Sequence, residues 1–147
     1  MSYPAKHFPG TPWRVRRWVR KAVESLGESK AKWTVPLEAI ARYESDCNPN
    51  VPDRDSLRGM MQQSVGQYAA AREDFGRVIG RIDYRDPVQA VQVAILYING
   101  ELYGYGGYGG ISGLLERDDR GPASVLRAWT QRPRATYSEL RPWYNGY

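Results

Sequence analysis

The chain has 147 residues, a net charge of +5 and 41% hydrophobic content, which fits one soluble globular domain with a single core. One histidine, His7, and one cysteine, Cys47, argue against an internal disulfide, a Cys- or His-built metal site and a Ser-His-Asp triad. No run of eighteen apolar residues is present to span a membrane, and the first ten residues lack the apolar stretch of a secretory signal.

The excess of positive charge suits nucleic acid, an anionic membrane or an acidic polymer such as a bacterial cell wall, and does not choose among them. Residues 1–10 are punctuated by proline and glycine and read as an extended arm. Thr11 is placed to N-cap a helix with Pro12 at its first position. Val15, Trp18, Val19, Ala22, Val23 and Leu26 follow at helical spacing, and Gly27 stops the stripe. The other face carries Arg14, Arg16, Arg17, Arg20 and Lys21. It reads as a solvated basic face or as a docking surface for an acidic partner or polymer. Residues 28–34 read as a polar linker in which Trp33 packs or binds sugar.

A second helix is predicted from about Pro36 to Asp46. Leu37, Ile40 and Ala41 share one of its faces, and the next position on that stripe is Glu44. A carboxylate that continues an apolar stripe is either paired or partly desolvated with a raised pKa, which suits a general acid. The other reading is a glutamate at a helix end whose head reaches water. Cys47 reads as a free thiol without a catalytic role, because the lone histidine is distant.

Pro49 bars further helix, and the loop from Asn48 to Arg58 is rich in Asp, Asn and Pro. Ser64 to Phe75 read as a third helix, with Val65, Tyr68, Ala69 and Phe75 inward. Asp86 and Pro87 open the strongest helix, whose buried face is Val88, Val91, Ile95, Ile98 and Leu102. It is expected to be the central helix, with Tyr97 off that face and lining a cleft. Tyr103 to Gly110 is dense in glycine and reads as a mobile loop, its tyrosines stacking on sugar rings or simply flanking a hinge. Leu114 and Leu115 suit a short helix. Pro122 opens another with Val125, Leu126 and Trp129 inward. Residues 131–147 form a Pro/Arg/Tyr-rich arm.

Glu44-Ser45, then Asn48-Pro49, a short loop, and Gly59-Met60-Met61-Gln62 resemble, in order and spacing, the soluble lytic transglycosylase (SLT, lysozyme-like) family. That family shows Glu-Ser, a nearby Asn-Pro and Gly-Leu-Met-Gln; Met60 stands where leucine is usual. The helix opened by Asp86-Pro87 and carrying Tyr97 is similar to a further family feature. Val65-Gly66-Gln67 departs from the Pro-Ser-Thr often found after the motif, and Tyr144-Asn145-Gly146 resembles the family's Ala-Tyr-Asn-x-Gly stretch without its alanine. The resemblance covers roughly residues 35–105.

It implies a mainly α, lysozyme-like domain over residues 11–130, with arms at 1–10 and 131–147. It implies cleavage of the MurNAc-GlcNAc β-1,4 bond of peptidoglycan, with Glu44 as acid and then base. Ser45, Met61, Gln62, Tyr68 and Tyr97 are the expected substrate-binding residues, with Met61 as an apolar wall beside the acid. No cofactor and no metal are expected. Asp46, Asp53 and Asp55 are the nearby candidates for a second carboxylate, which would turn the reaction to hydrolysis.

The motif arrangement also resembles lytic domains of phage tape-measure and tail proteins. It therefore implies a virion component acting on the host wall, with other virion proteins as partners through the basic first helix and the C-terminal arm. The alternatives are a phage endolysin of hydrolase type and a non-catalytic virion protein that keeps the fold. Nucleic acid and a membrane span are not expected.

Overall fold

The computed structural model describes residues 6–117 and 121–130, together with Glu139. Its elements are helices α1 (Trp13–Ser25), α2 (Lys30–Ser45), α3 (Val65–Asp74), α4 (Gly76–Ile79), α5 (Pro87–Ile98), α6 (Ile111–Glu116) and α7 (Pro122–Thr130). Among the described residues one antiparallel hairpin, β1 (Leu57–Arg58) with β2 (Gln63–Ser64), stands between α2 and α3. Among the described residues the fold is mainly α, as expected.

The centre is α5. Asp86 caps it by accepting from the Val88 and Gln89 amides, and Pro87 takes the first turn, where its missing N–H costs nothing. The helix is buried on all sides, from Gln89 through Leu96 and again at Ile98. Each such aliphatic side chain contributes about 1.5–3 kcal/mol on leaving water. The helix ends at Ile98, earlier than the predicted face suggested. Leu102 lies beyond it but is still buried. Buried Gln89 is fully engaged: its amide donates to the Ile79 and Arg81 carbonyls, and its oxygen accepts from the Asp83 amide. This fixes the loop before the helix.

On α1, Val15, Val19, Ala22 and Val23 are buried as their spacing predicts. The expected cap is different. Pro12 is the cap residue, and the Thr11 hydroxyl donates to the Phe8 carbonyl instead. Residues 7–11 are therefore no free arm. Phe8 is buried and meets the edge of Trp129 at 5.5 Å between ring centroids. The Phe8 amide donates to Glu38 Oε1 at 2.7 Å, and His7 Nδ1 lies 2.9 Å from Glu38 Oε2. The C-terminal arm, with Tyr144-Asn145-Gly146, lies outside the described residues apart from Glu139.

Helix α2 starts six residues before the predicted Pro36, so most of the supposed linker is helical and Pro36 sits inside the helix. Burial outweighs the proline penalty here, since Trp33 and every residue from Val35 to Ala41 are buried. Trp33 is core and not a sugar platform; its indole N–H donates to Glu28, whose other oxygen accepts from Asn99 at the end of α5. On α3, Tyr68 is inward as expected, but Ala71 takes the buried place predicted for exposed Ala69. Ser64 and Gln67 close a capping box at its start.

Candidate active site

Glu44 lies in the last turn of α2 and is half-buried. The helix stops just beyond it because Asp46 and Cys47 both take left-handed backbone, with φ of 52° and 63°, and their amides return to the Arg42 and Ala41 carbonyls. Pro49 falls after this turn has already ended the helix. Burial raises the Glu44 carboxyl above the usual glutamate range, while the Arg54 guanidinium acts in the opposite direction. The Cys47 thiol is also pushed up by burial, which disfavours the reactive thiolate.

Ser45 joins this helix end to the hairpin. Its hydroxyl donates to the Met60 carbonyl at 2.7 Å, with the Ala41 carbonyl at 3.2 Å, and it accepts from the Asn48 amide at 3.1 Å. The residues Gly59 to Gln62 form the hairpin turn. Gln62 has φ of 51°, and both its amide and its side-chain NH2 donate to the Gly59 carbonyl, at 3.1 Å and 2.9 Å. Gly59 is required here. Its φ is 75°, and a Cβ would come within 2.7 Å of both the Tyr68 hydroxyl and the Tyr84 carbonyl. A cleft of about 500 Å³ adjoins the turn, with Pro49, Asn50, Asp53, Gly59 and Tyr84 in its wall.

The structure thus brings Glu44, Ser45 and Met60 to Gln62 together. It corrects two expected substrate contacts. Tyr68 is fully buried beneath Gly59, edge-on to Tyr84 at 4.9 Å, so it supports the turn from below. Met61, expected as an apolar wall beside the acid and as a substrate contact, is buried with Met60 in the main core and so is covered from substrate. Tyr97 is half-buried and edge-on to Tyr108 at 5.8 Å, packing against the glycine-rich loop.

Of the candidate second carboxylates, Asp46 pairs with Arg42 and Asp53 with Arg58. Arg58 also donates to the Asp55 and Leu57 carbonyls and lies over the Tyr84 ring. Three residues that sequence reasoning passed over shape this region: Arg54, Arg58 and Glu38. Nothing in a loop of mixed charges singles out the two arginines. Glu38 had a signal, being a carboxylate in a helix segment otherwise without charge from Trp33 to Ala41. Burial raises its pKa too, but it is 0% exposed and both oxygens are taken by His7 and Phe8. Glu44, whose carboxyl is also raised, is only half-buried.

A helical body in which one half-buried glutamate ends a helix clipped to a Gly-Met-Met-Gln turn defines a lysozyme-like domain. The family model described as Transglycosylase SLT domain matches residues 21–129, and the chain belongs to that family. Membership supports a peptidoglycan lytic transglycosylase activity in general. No curated protein and no solved structure matches the chain.

Proposed function

We propose that the protein cleaves the MurNAc-GlcNAc β-1,4 bond of peptidoglycan with Glu44 as its one acid and base. The Glu44 carboxyl gives its proton to the glycosidic oxygen, and the bond from that oxygen to C1 breaks with its electron pair on the oxygen. The substrate's own N-acetyl oxygen stabilises the electron-poor C1. The Glu44 carboxylate then takes the proton of the sugar's 6-hydroxyl, O6 bonds to C1, and a 1,6-anhydro sugar forms with Glu44 protonated again. The observation that carries this reading is the half-buried Glu44, its pKa raised by burial, while two of the three candidate second carboxylates, Asp46 and Asp53, pair with Arg42 and Arg58 and the third, Asp55, meets Arg58 through its backbone carbonyl. In this scheme Ser45 and Gln62 hold the geometry around the acid. Zymography on purified cell walls tests it. The wild-type chain should clear the wall, and Glu44→Gln should lose at least about a hundredfold. An active Glu44→Gln variant overturns the assignment.

We also infer carriage in a phage virion, on the resemblance of the motif arrangement to lytic domains inside phage tail proteins. Residues 131–147 would then meet neighbouring tail proteins. Immunoblotting of purified, nuclease-treated virions should detect the chain; its absence would favour a free endolysin.

A further inference from the structure

Outside the Glu44 region, the outer face of α1 combines features that folding does not use. Trp13 is 63% exposed, although burying an indole is among the larger apolar gains available to a chain. The Arg17 guanidinium lies 5.4 Å from its ring centroid. A groove of about 310 Å³ is lined by Trp13, Arg14, Arg17, Trp18 and Lys21. Arg14, Arg17 and Lys21 fall three and four residues apart on one helical stripe. Among the described residues, no carboxylate pairs with any of the three.

We propose that this groove, built from residues other than Glu44 and the Gly59–Gln62 turn, is an accessory binding site for the carboxylate-bearing glycan of peptidoglycan that holds the enzyme on the insoluble wall. The proposal rests on the reading of peptidoglycan as substrate. An exposed indole face suits the C–H face of a hexose, and the flanking cations suit the free carboxylates of the peptide stems, or the lactyl carboxylate where a stem is missing. A protein partner fits less well. Stable protein interfaces bury about 800 Å² per side around an apolar centre, whereas among the described residues of α1 Trp13 is the one large exposed hydrophobe. A thin charged chain needs only the groove.

The test uses the full chain with Glu44→Gln, so that binding is read without cleavage and independently of whether the wild type is active. Sedimentation is measured with sacculi stripped of other wall polymers, with the same sacculi after amidation of their carboxyls, and with double-stranded DNA. Retention on untreated sacculi should fall at least about fivefold with Arg14→Gln/Arg17→Gln/Lys21→Gln and about threefold with Trp13→Ala. It should fall with added salt, because surface attraction is screened over about 8 Å at physiological ionic strength. Amidated sacculi should hold the parent protein as weakly as untreated sacculi hold the triple variant. Melting should be unchanged, since these side chains lie outside the core. Equal retention by parent and triple variant overturns the proposal, as does indifference to amidation. Loss of DNA retention alone assigns the groove to nucleic acid and overturns it as well.

Discussion

The Ser45 hydroxyl sits 2.7 Å from the Met60 carbonyl and ties the helix end that carries Glu44 to the Gly-Met-Met-Gln turn. Its second link, to the Asn48 amide, fixes the start of the following loop. One small side chain therefore sets the position of the acid relative to the turn. Ser45→Ala leaves the Met60 carbonyl and the Asn48 amide without this partner. We expect a loss of about 1–2 kcal/mol in stability by urea unfolding, and a larger proportional fall in cell-wall cleavage than the unfolded fraction explains. Unchanged cleavage would show that the tie does not position Glu44.

Glu38, in the middle of α2, holds His7 and Phe8. Glu38→Ala leaves the buried Phe8 amide unpaired and should cost about 1–3 kcal/mol; Glu38→Gln keeps an acceptor for it. The pH dependence has a definite sign. Burial raises the Glu38 carboxyl in the folded state, so the folded chain binds a proton more readily than the unfolded one. Stability falls as pH rises from the ordinary glutamate range through the raised folded value. Unfolding midpoints across that range should be flatter for Glu38→Gln than for wild type. Parallel curves would contradict the assignment.

Tyr68 carries a buried hydroxyl with no hydrogen-bond partner among the described residues, and burial raises its pKa. An unpaired buried hydroxyl is a desolvation cost. Tyr68→Phe should raise stability by about 1 kcal/mol and leave cleavage within about twofold. A large loss of activity at unchanged stability would restore Tyr68 to the substrate-binding set.

Much of this was legible from the chain. The stripe on α1 gave its buried face because that helix packs on one side, whereas the stripe on α5 caught Val91, Ile95 and Ile98 but understated a helix buried on all sides. Glu44 stood out because it interrupts such a stripe. The start of α2 was hidden, since Pro36 reads locally as a beginning while tertiary burial of Trp33 and Val35 extends the helix past it. Tyr68 and Met61 were misjudged for a related reason. Residue type marks both as able to touch sugar, but only the packing under Gly59 and in the core shows that they are covered. The ties from Glu38 to His7 and Phe8 and from Ser45 to Met60 join residues 15 or more apart, and no local period encodes them.

Arg54 opposes burial at Glu44. Arg54→Gln removes that cation, so the Glu44 carboxyl should hold its proton to higher pH. Because the first step needs the protonated acid, activity declines as Glu44 ionises. The alkaline limb of the pH–rate profile should therefore move upward in Arg54→Gln. A limb that stays in place or moves downward would mean that another group controls it.

The central claim is that one carboxylate, Glu44, carries both proton transfers. Mass spectrometry of sacculi digested by the wild-type chain tests it most directly. Fragments ending in 1,6-anhydro-N-acetylmuramic acid should form with the wild type and be absent with Glu44→Gln. Fragments ending in ordinary reducing sugars would contradict it, because water would then have been the nucleophile and Asp46, Asp53 or Asp55 would have to serve as a second carboxylate.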